Sequence, residues 1–121
     1  MNLDHILSSF IYLGSCFVVF AIGHLVFIIF RRTYNIKDEL VEKDNVALAL
    51  VMCGYYLGLT FSIGGVIAGP SAGLENDLID MLVYGSLAIV FLNLSALINN
   101  RFILSEFDIR KEILQDQNCG T

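Results

Sequence analysis

Three long apolar blocks constrain this chain more than any other feature of its sequence. Hydrophobic residues make up 56% of the 121 residues, and the mean hydropathy is +0.71. Soluble domains are usually about 45–50% apolar, and here the excess is concentrated in blocks of bilayer-spanning length. We therefore predict an all-α membrane protein with three transmembrane helices over about residues 7–30, 46–68 and 79–98. Residues 1–121 are expected to form a single integral membrane domain.

The basic residues predict how the helices are oriented in the bilayer. All seven fall in two segments, residues 31–45 and 99–121, whereas the N-terminal tail and the loop before the third block carry none. Because short loops rich in Lys and Arg stay in the cytoplasm, both segments are predicted to be cytoplasmic and the N-terminus exterior. Acidic residues accompany the basic ones, so we expect no nucleic-acid partner, and the lipid bilayer is the predicted surrounding.

The two cytoplasmic segments resemble each other. When Asn118 is aligned with Asn45, Glu112 falls on Glu39 without a gap. Each segment has the pattern of a short amphipathic interfacial helix followed by an Asn that opens a further helix, with a solvated charged loop as the alternative. The chain thus reads as one and a half copies of a helix-plus-amphipathic-segment repeat, and the repeat predicts a fourth helix after Asn118. Truncation of a four-helix protein is the favoured explanation.

These segments carry a family resemblance. The stretches DELVEKDNVALALVMCGYYLGLTFSIGGVIAGPS and DIRKEILQDQNCGT resemble the YjfL-like family (domain of unknown function 350), in which a Glu-hydrophobic pair precedes an Asn and a Gly-containing helix. The resemblance implies a small multi-pass protein of the bacterial inner membrane, with no established activity. It also implies four or more spans, and gene neighbours connected with membrane stress.

Small residues predict where one helix packs. Gly54, Gly58 and Ser62 recur every four residues in the second apolar block. Small residues at this spacing allow close backbone approach between helices in lipid, where hydrophobic association is absent. We expect this stripe to be a helix–helix contact, either within the chain or between chains of a homo-oligomer.

Polar residues inside the blocks predict a shared layer. His24 lies about 10 Å from the Arg31 end of its helix and Asn93 about 12 Å from the Arg101 end, at 1.5 Å per residue. Polar groups in lipid turn inward and find partners. The layer is either part of a proton or ion path or, as the favoured alternative, an interhelical hydrogen bond that fixes packing.

The remaining candidates are the paired acid and amide residues. Glu39 and Glu112 are candidates for binding a cytosolic protein partner or for ion pairs with Arg32 or Lys111, and a solvated interfacial face is the simpler reading. Asn45 and Asn118 are predicted to cap helices rather than bind ligands.

No catalytic or metal-binding pattern occurs, and the three cysteines have no disulfide spacing. We therefore expect no enzyme, no cofactor and no catalytic or metal residues. Two functions remain. The first is an oligomeric structural or scaffold component of envelope or membrane-stress systems. The second is a small channel or transporter subunit that uses the polar layer.

Overall fold

The computed structural model describes residues 2–121, and within them every regular element is helical. The elements are α1 (Leu3–Phe30), α2 (Ile36–Val41), α3 (Val46–Ala68), α4 (Leu74–Ile98), a π-helical turn (Asn99–Ile103) and α5 (Ile109–Leu114). The helices α1, α3 and α4, the last together with its π turn, are each long and apolar enough to cross a membrane. The all-α membrane fold with three spans is therefore confirmed.

Two of the long helices begin earlier than the apolar pattern predicts. Helix α3 has the expected bounds, but α1 begins at Leu3 rather than near residue 7, and α4 begins at Leu74 rather than near residue 79. In α4 the early start is fixed locally, because the Asp77 carboxylate accepts hydrogen bonds from the Ala72 backbone N–H and the Ser71 hydroxyl. Polar first turns can be helical because water satisfies their free N–H groups. Hydropathy alone therefore underestimates their length.

The interior lies among the three long helices. Its central cluster consists of Val19 from α1, Leu59 and Ile63 from α3, and Met81 and Ile89 from α4. Helix α4 packs against both α1 and α3. Most other large apolar side chains are exposed, as expected where lipid rather than water surrounds the bundle.

Glycines allow the three helices to approach closely, but they are only partly the predicted ones. A Cβ added at Gly23 would lie 2.7 Å from Leu59, and one at Gly85 would lie 2.6 Å from Val19. At Gly58 it would lie 2.8 Å from the Leu92 side chain of α4.

The stripe predicted from Gly54, Gly58 and Ser62 is divided between two surroundings. Gly58 contacts α4, and Ser62 is half-buried, with its hydroxyl donating to the Gly58 carbonyl. Gly54 is exposed, with no atom within 4 Å of the added Cβ. Within the chain the stripe is therefore not one continuous contact, because successive positions four apart rotate by about 40° around the helix. A contact of Gly54 with a second chain stays a prediction.

The two short helices lie at one end of the bundle, where α1 ends and α3 begins. All seven basic residues lie in the segments at this end, which we call the basic end. The opposite end carries Asp4, Glu75, Asp77 and Asp80 without a basic residue. The short helix predicted within residues 31–45 is present as α2 (Ile36–Val41), and Asn35 caps it by accepting a hydrogen bond from the Lys37 N–H.

Candidate functional site at the basic end

Residues 39–45 fold into a compact hydrogen-bonded unit that joins α2 to α3. The Glu39 carboxylate accepts from the Lys43 ammonium at 2.5 Å through one oxygen and from the Asn45 amide at 3.1 Å through the other. The backbone N–H of Asn45 donates to the Glu39 carbonyl at 3.0 Å, and Asp44 reverses the chain with φ of 48°. We call this unit the Glu39–Asn45 clasp.

The clasp also starts the second spanning helix. The Asn45 side-chain oxygen accepts a hydrogen bond from the Leu48 N–H at 3.0 Å, as predicted for an N-cap. Asn45 is only 1% exposed and Glu39 only 5% exposed. A buried carboxylate that accepts from an ammonium and an amide stays ionised easily, because hydrogen bonds to the charged form favour it. Accordingly, the hydrogen bonds from Lys43 and then Asn45 hold the pKa of Glu39 below its usual range.

This geometry corrects the expectations for Glu39. Its ion-pair partner is Lys43 and not Arg32. The Glu39–Lys43 pair is the only ion pair within residues 2–121. The alternatives of a solvated face or a partner-binding carboxylate do not fit Glu39, because the side chain is buried and both oxygens are occupied. The signal for the correct partner was the i, i+4 spacing of Glu39 and Lys43, which places the two charges on one face of a helix.

The same hydrogen bonds occur again in the segment that follows α4. The Asn118 amide donates to the Glu112 carboxylate at 2.8 Å, and the Asn118 N–H donates to the Glu112 carbonyl at 2.8 Å. Gln117 has φ of 48°, as Asp44 does. The Asn118 side-chain oxygen accepts from the Gly120 N–H at 3.0 Å. The predicted Glu112–Lys111 ion pair is absent from the described residues, and this second unit, the Glu112–Asn118 clasp, is largely exposed.

The first clasp holds the second segment in place. The Asn45 amide donates a further hydrogen bond to the Ile113 carbonyl at the end of α5, at 2.9 Å. Gln117 donates to the Lys43 carbonyl at 3.3 Å, and Arg110 donates to the Thr33 carbonyl at 3.2 Å. The Asn45 side chain therefore forms hydrogen bonds with residues of α2, α3 and α5. The sequence did not predict the contact with α5.

A polar cluster connects the three spanning helices at the predicted depth. The Tyr55 hydroxyl of α3 donates to the Gly23 carbonyl of α1 at 3.0 Å and accepts from the Asn93 amide of α4 at 3.3 Å. Asn93 also donates to the Ile89 carbonyl at 2.7 Å, and His24 is hydrogen-bonded to the Tyr56 hydroxyl.

The structure links His24 and Asn93 to α3 through two tyrosines that the sequence reasoning missed. His24 and Asn93 both bond to α3 rather than to each other, and the side chain of His24 is exposed. Tyr55 and Tyr56 could have been found, because they follow Asn45 by ten and eleven residues and thus lie about 15 Å into the span. A buried Tyr hydroxyl normally requires a partner.

A second polar cluster lies at the opposite, acidic end. The Tyr12 hydroxyl donates to the Asp77 carboxylate at 2.6 Å, and Ser71 donates to the same oxygen at 2.5 Å. This cluster ties α1 to the loop before α4. Within residues 2–121 no group of three or more His, Cys, Asp or Glu residues could hold a metal ion.

The fold and its polar contacts define an α-helical multi-pass membrane protein. Its spanning helices are joined by hydrogen bonds within the bilayer region and by clasps at one end. A family model for a domain of unknown function (DUF350) matches residues 1–121, so the chain belongs to this family. Comparison with curated proteins and with solved structures gave no match.

Proposed function

We propose that this protein is a non-catalytic structural component of the bacterial inner membrane that acts as a homo-oligomer. In this proposal α3 supplies the contact between copies, and the basic end presents α2 and α5 to a soluble protein of the cytoplasm. The observation that carries the proposal is the arrangement of exposed residues along α3.

The exposed face of α3 has the spacing of a helix–helix seam. Exposed residues recur at alternating intervals of four and three, and we call this set the α3 seam: Leu50, Gly54, Leu57, Phe61, Gly64 and Ala68. This is the 3.5-residue period of helices that cross at about 20°. The seam contains three bulky and three small residues, and the added Cβ at Gly54 and Gly64 meets no atom of the chain itself. Such a surface suits close packing against a second helix in lipid.

Cysteine cross-linking tests the seam directly. Leu57→Cys, in a background with Cys16, Cys53 and Cys119 changed to Ala, should form a disulfide-linked dimer in membranes under mild oxidation. Phe17→Cys provides the control, because this α1 side chain is equally exposed but lies off the seam. Equal cross-linking at both positions would show that the disulfides form by random collision rather than at a specific interface, and would contradict the proposal.

A matched pair of glycine substitutions tests the mechanism of the contact. Gly54→Leu should abolish the Leu57 cross-link, because the larger side chain separates the helix backbones. Gly14→Leu should leave it intact, since Gly14 is also open but lies on α1. Persistence of the cross-link in the Gly54 variant would show that the seam is not the interface.

The polar cluster supports a second candidate, a channel or transporter subunit. Its favouring observation is that His24, Tyr55, Tyr56 and Asn93 place four polar side chains at one level of the bundle. His24→Leu in liposomes separates the two candidates. Loss of ion flux with the cross-link retained supports a path, whereas unchanged flux supports a packing role.

The proposed orientation has the N-terminus in the periplasm and the basic end in the cytoplasm. It rests on the distribution of the basic residues. A single thiol at Ala72, in the loop before α4, should react with a membrane-impermeant reagent added from outside the cell. If the thiol is labelled only after the inner face of the membrane is exposed to the reagent, the orientation is the opposite of the one proposed.

The recurrence of the clasp hydrogen bonds, with Asn118 in the place of Asn45, supports an internal parallel repeat. The correspondence extends to the caps of the short helices, because Asn35 and Asp108 occupy equivalent positions and both accept from a backbone N–H. Each copy would then consist of a spanning helix, a short helix and a clasp.

A further inference from the structure

A cavity of about 310 Å³ lies at the basic end, between the end of α1, the start of α3, the π turn and α5. Its polar lining consists of two arginines and five neutral side chains, which are Arg31, Arg110, Thr33, Tyr34, Asn99, Asn100 and Thr121. No carboxylate side chain is among the lining residues. The charged side chains of the lining are therefore all cationic, although the chain as a whole has a net charge of −5.

The two arginines are not neutralised within the described part of the chain. Within residues 2–121 the only ion pair joins Lys43 to Glu39. Neither Arg31 nor Arg110 therefore has a carboxylate partner in this part of the chain. The Arg31 guanidinium lies 3.8 Å from the centre of the Phe27 ring and is half-buried. Packing against the ring fixes the plane of the guanidinium group, and the N–H groups at its edge can still donate hydrogen bonds. A guanidinium edge matches two oxygens of a phosphate or carboxylate.

Neutral donors surround the arginines. Burial raises the pKa of Tyr34, so its hydroxyl stays protonated at physiological pH and can donate a hydrogen bond. Asn99 and Asn100 are exposed side chains of the π turn. Turns of this type inside helices often occur at functional sites because they redirect side chains.

The depth of the cavity fits a lipid headgroup. Arg31 directly follows the last residue of α1, and the π turn forms the last five residues of the third span, so the polar lining lies at the ends of two apolar spans. Leu48, Val51 and Ala96 line the same cavity from inside the spans. A ligand here would meet cations at the interface and apolar side chains towards the bilayer centre.

We propose that this cavity binds the phosphate group of an anionic phospholipid, with Arg31 and Arg110 as the principal ligands and the apolar wall against the start of an acyl chain. Basic pockets between spanning helices are suited to such headgroups. The site does not depend on the proposed oligomer, because every lining residue belongs to one chain.

Native mass spectrometry of the full chain in detergent tests the proposal. Phosphatidylglycerol and phosphatidylcholine are compared as added lipids, and inorganic phosphate and glycerol phosphate as soluble competitors. We expect preferential retention of phosphatidylglycerol. Arg31→Gln and Arg110→Gln should each weaken it by about tenfold, the loss expected for one charge-assisted hydrogen bond. Displacement by millimolar glycerol phosphate would point to a soluble phosphate ligand and overturn the lipid assignment.

Two matched controls separate a built site from general surface charge. Arg32→Gln and Arg101→Gln remove the same charge from neighbouring positions that do not line the cavity. Both should retain phosphatidylglycerol within about twofold of the unchanged protein, and an equal loss in them would overturn the proposal. Arg110 is exposed on α5, so its variant remains informative if loss of the Arg31 contact with Phe27 impairs folding. Unchanged binding in the folded Arg110 variant would also overturn it.

Discussion

Replacing Asn45 by Ala should destabilise the protein more than any other single change at the basic end. The substitution removes the cap of α3 and the hydrogen bonds to Glu39 and Ile113. Loss of an N-cap costs about 1 kcal/mol. A buried polar group left without its partner adds about 1–3 kcal/mol, and the Glu39 oxygen that accepts from Asn45 is such a group, because Glu39 is 5% exposed and Lys43 bonds only its other oxygen. We expect a total loss of about 2–4 kcal/mol in the free energy of unfolding.

The chain has no Trp, so thiol reactivity is the better probe of unfolding. Cys16 is half-buried and packs against the interior, and its alkylation across a denaturant titration reports the loss of helix packing. Cys53 and Cys119 are exposed and are changed to Ala. Asn118→Ala is the matched control, because it removes equivalent hydrogen bonds where water can replace them. It should cost about 0.5–1 kcal/mol. Equal losses in the two variants would refute the importance of burial.

Asn45→Asp tests the electrostatics of the same position. Asp still caps a helix, but its carboxylate faces that of Glu39. Two adjacent carboxylates raise the folded-state pKa of one of them, so stability is lost at neutral pH and recovered on acidification. The unchanged protein should behave in the opposite way. The lowered pKa of Glu39 contributes stability above its unfolded value of about 4.3, and this contribution is lost as the pH falls through the folded value. A variant as stable as the parent at pH 7 would contradict the clasp.

Three further changes have defined outcomes. Lys43→Met removes the cation nearest Glu39, so acid unfolding should begin at a higher pH, as a pH titration of Cys16 reactivity would show. Gly85→Ala places a Cβ 2.6 Å from a side chain of α1 and should lower stability, whereas Gly54→Ala meets nothing within 4 Å and should not, in the same denaturant assay. Tyr55→Phe removes one hydrogen bond to α1 and one to α4 and should cost about 1.2 kcal/mol, because the mean for one interhelical bond in lipid is about 0.6 kcal/mol. A loss several times larger would indicate a role beyond packing.

The sequence by itself determined the class of protein and its main elements. Apolar length alone predicted three spans, because a helix must be about 20 residues long to cross the hydrocarbon core. Local chemistry predicted the cap at Asn45, since an Asn side chain reaches an N–H only two or three residues away. The similarity between residues 31–45 and 99–121 was likewise evident from the ungapped alignment of Asn118 with Asn45.

The tertiary structure decided which residues meet. The residues of the predicted stripe, Gly54, Gly58 and Ser62, lie in two different surroundings. Gly85 allows α4 to approach α1 closely, but no local sequence pattern predicted this contact. Tyr55 joins Gly23 to Asn93 because three helices converge there at one depth. Asn45 reaches Ile113, which lies in a different segment of the chain. Short-range spacing fixes a residue's position along a helix, but its rotation towards a neighbour depends on packing of the whole bundle. For this reason the helices were predictable, and their contacts were not.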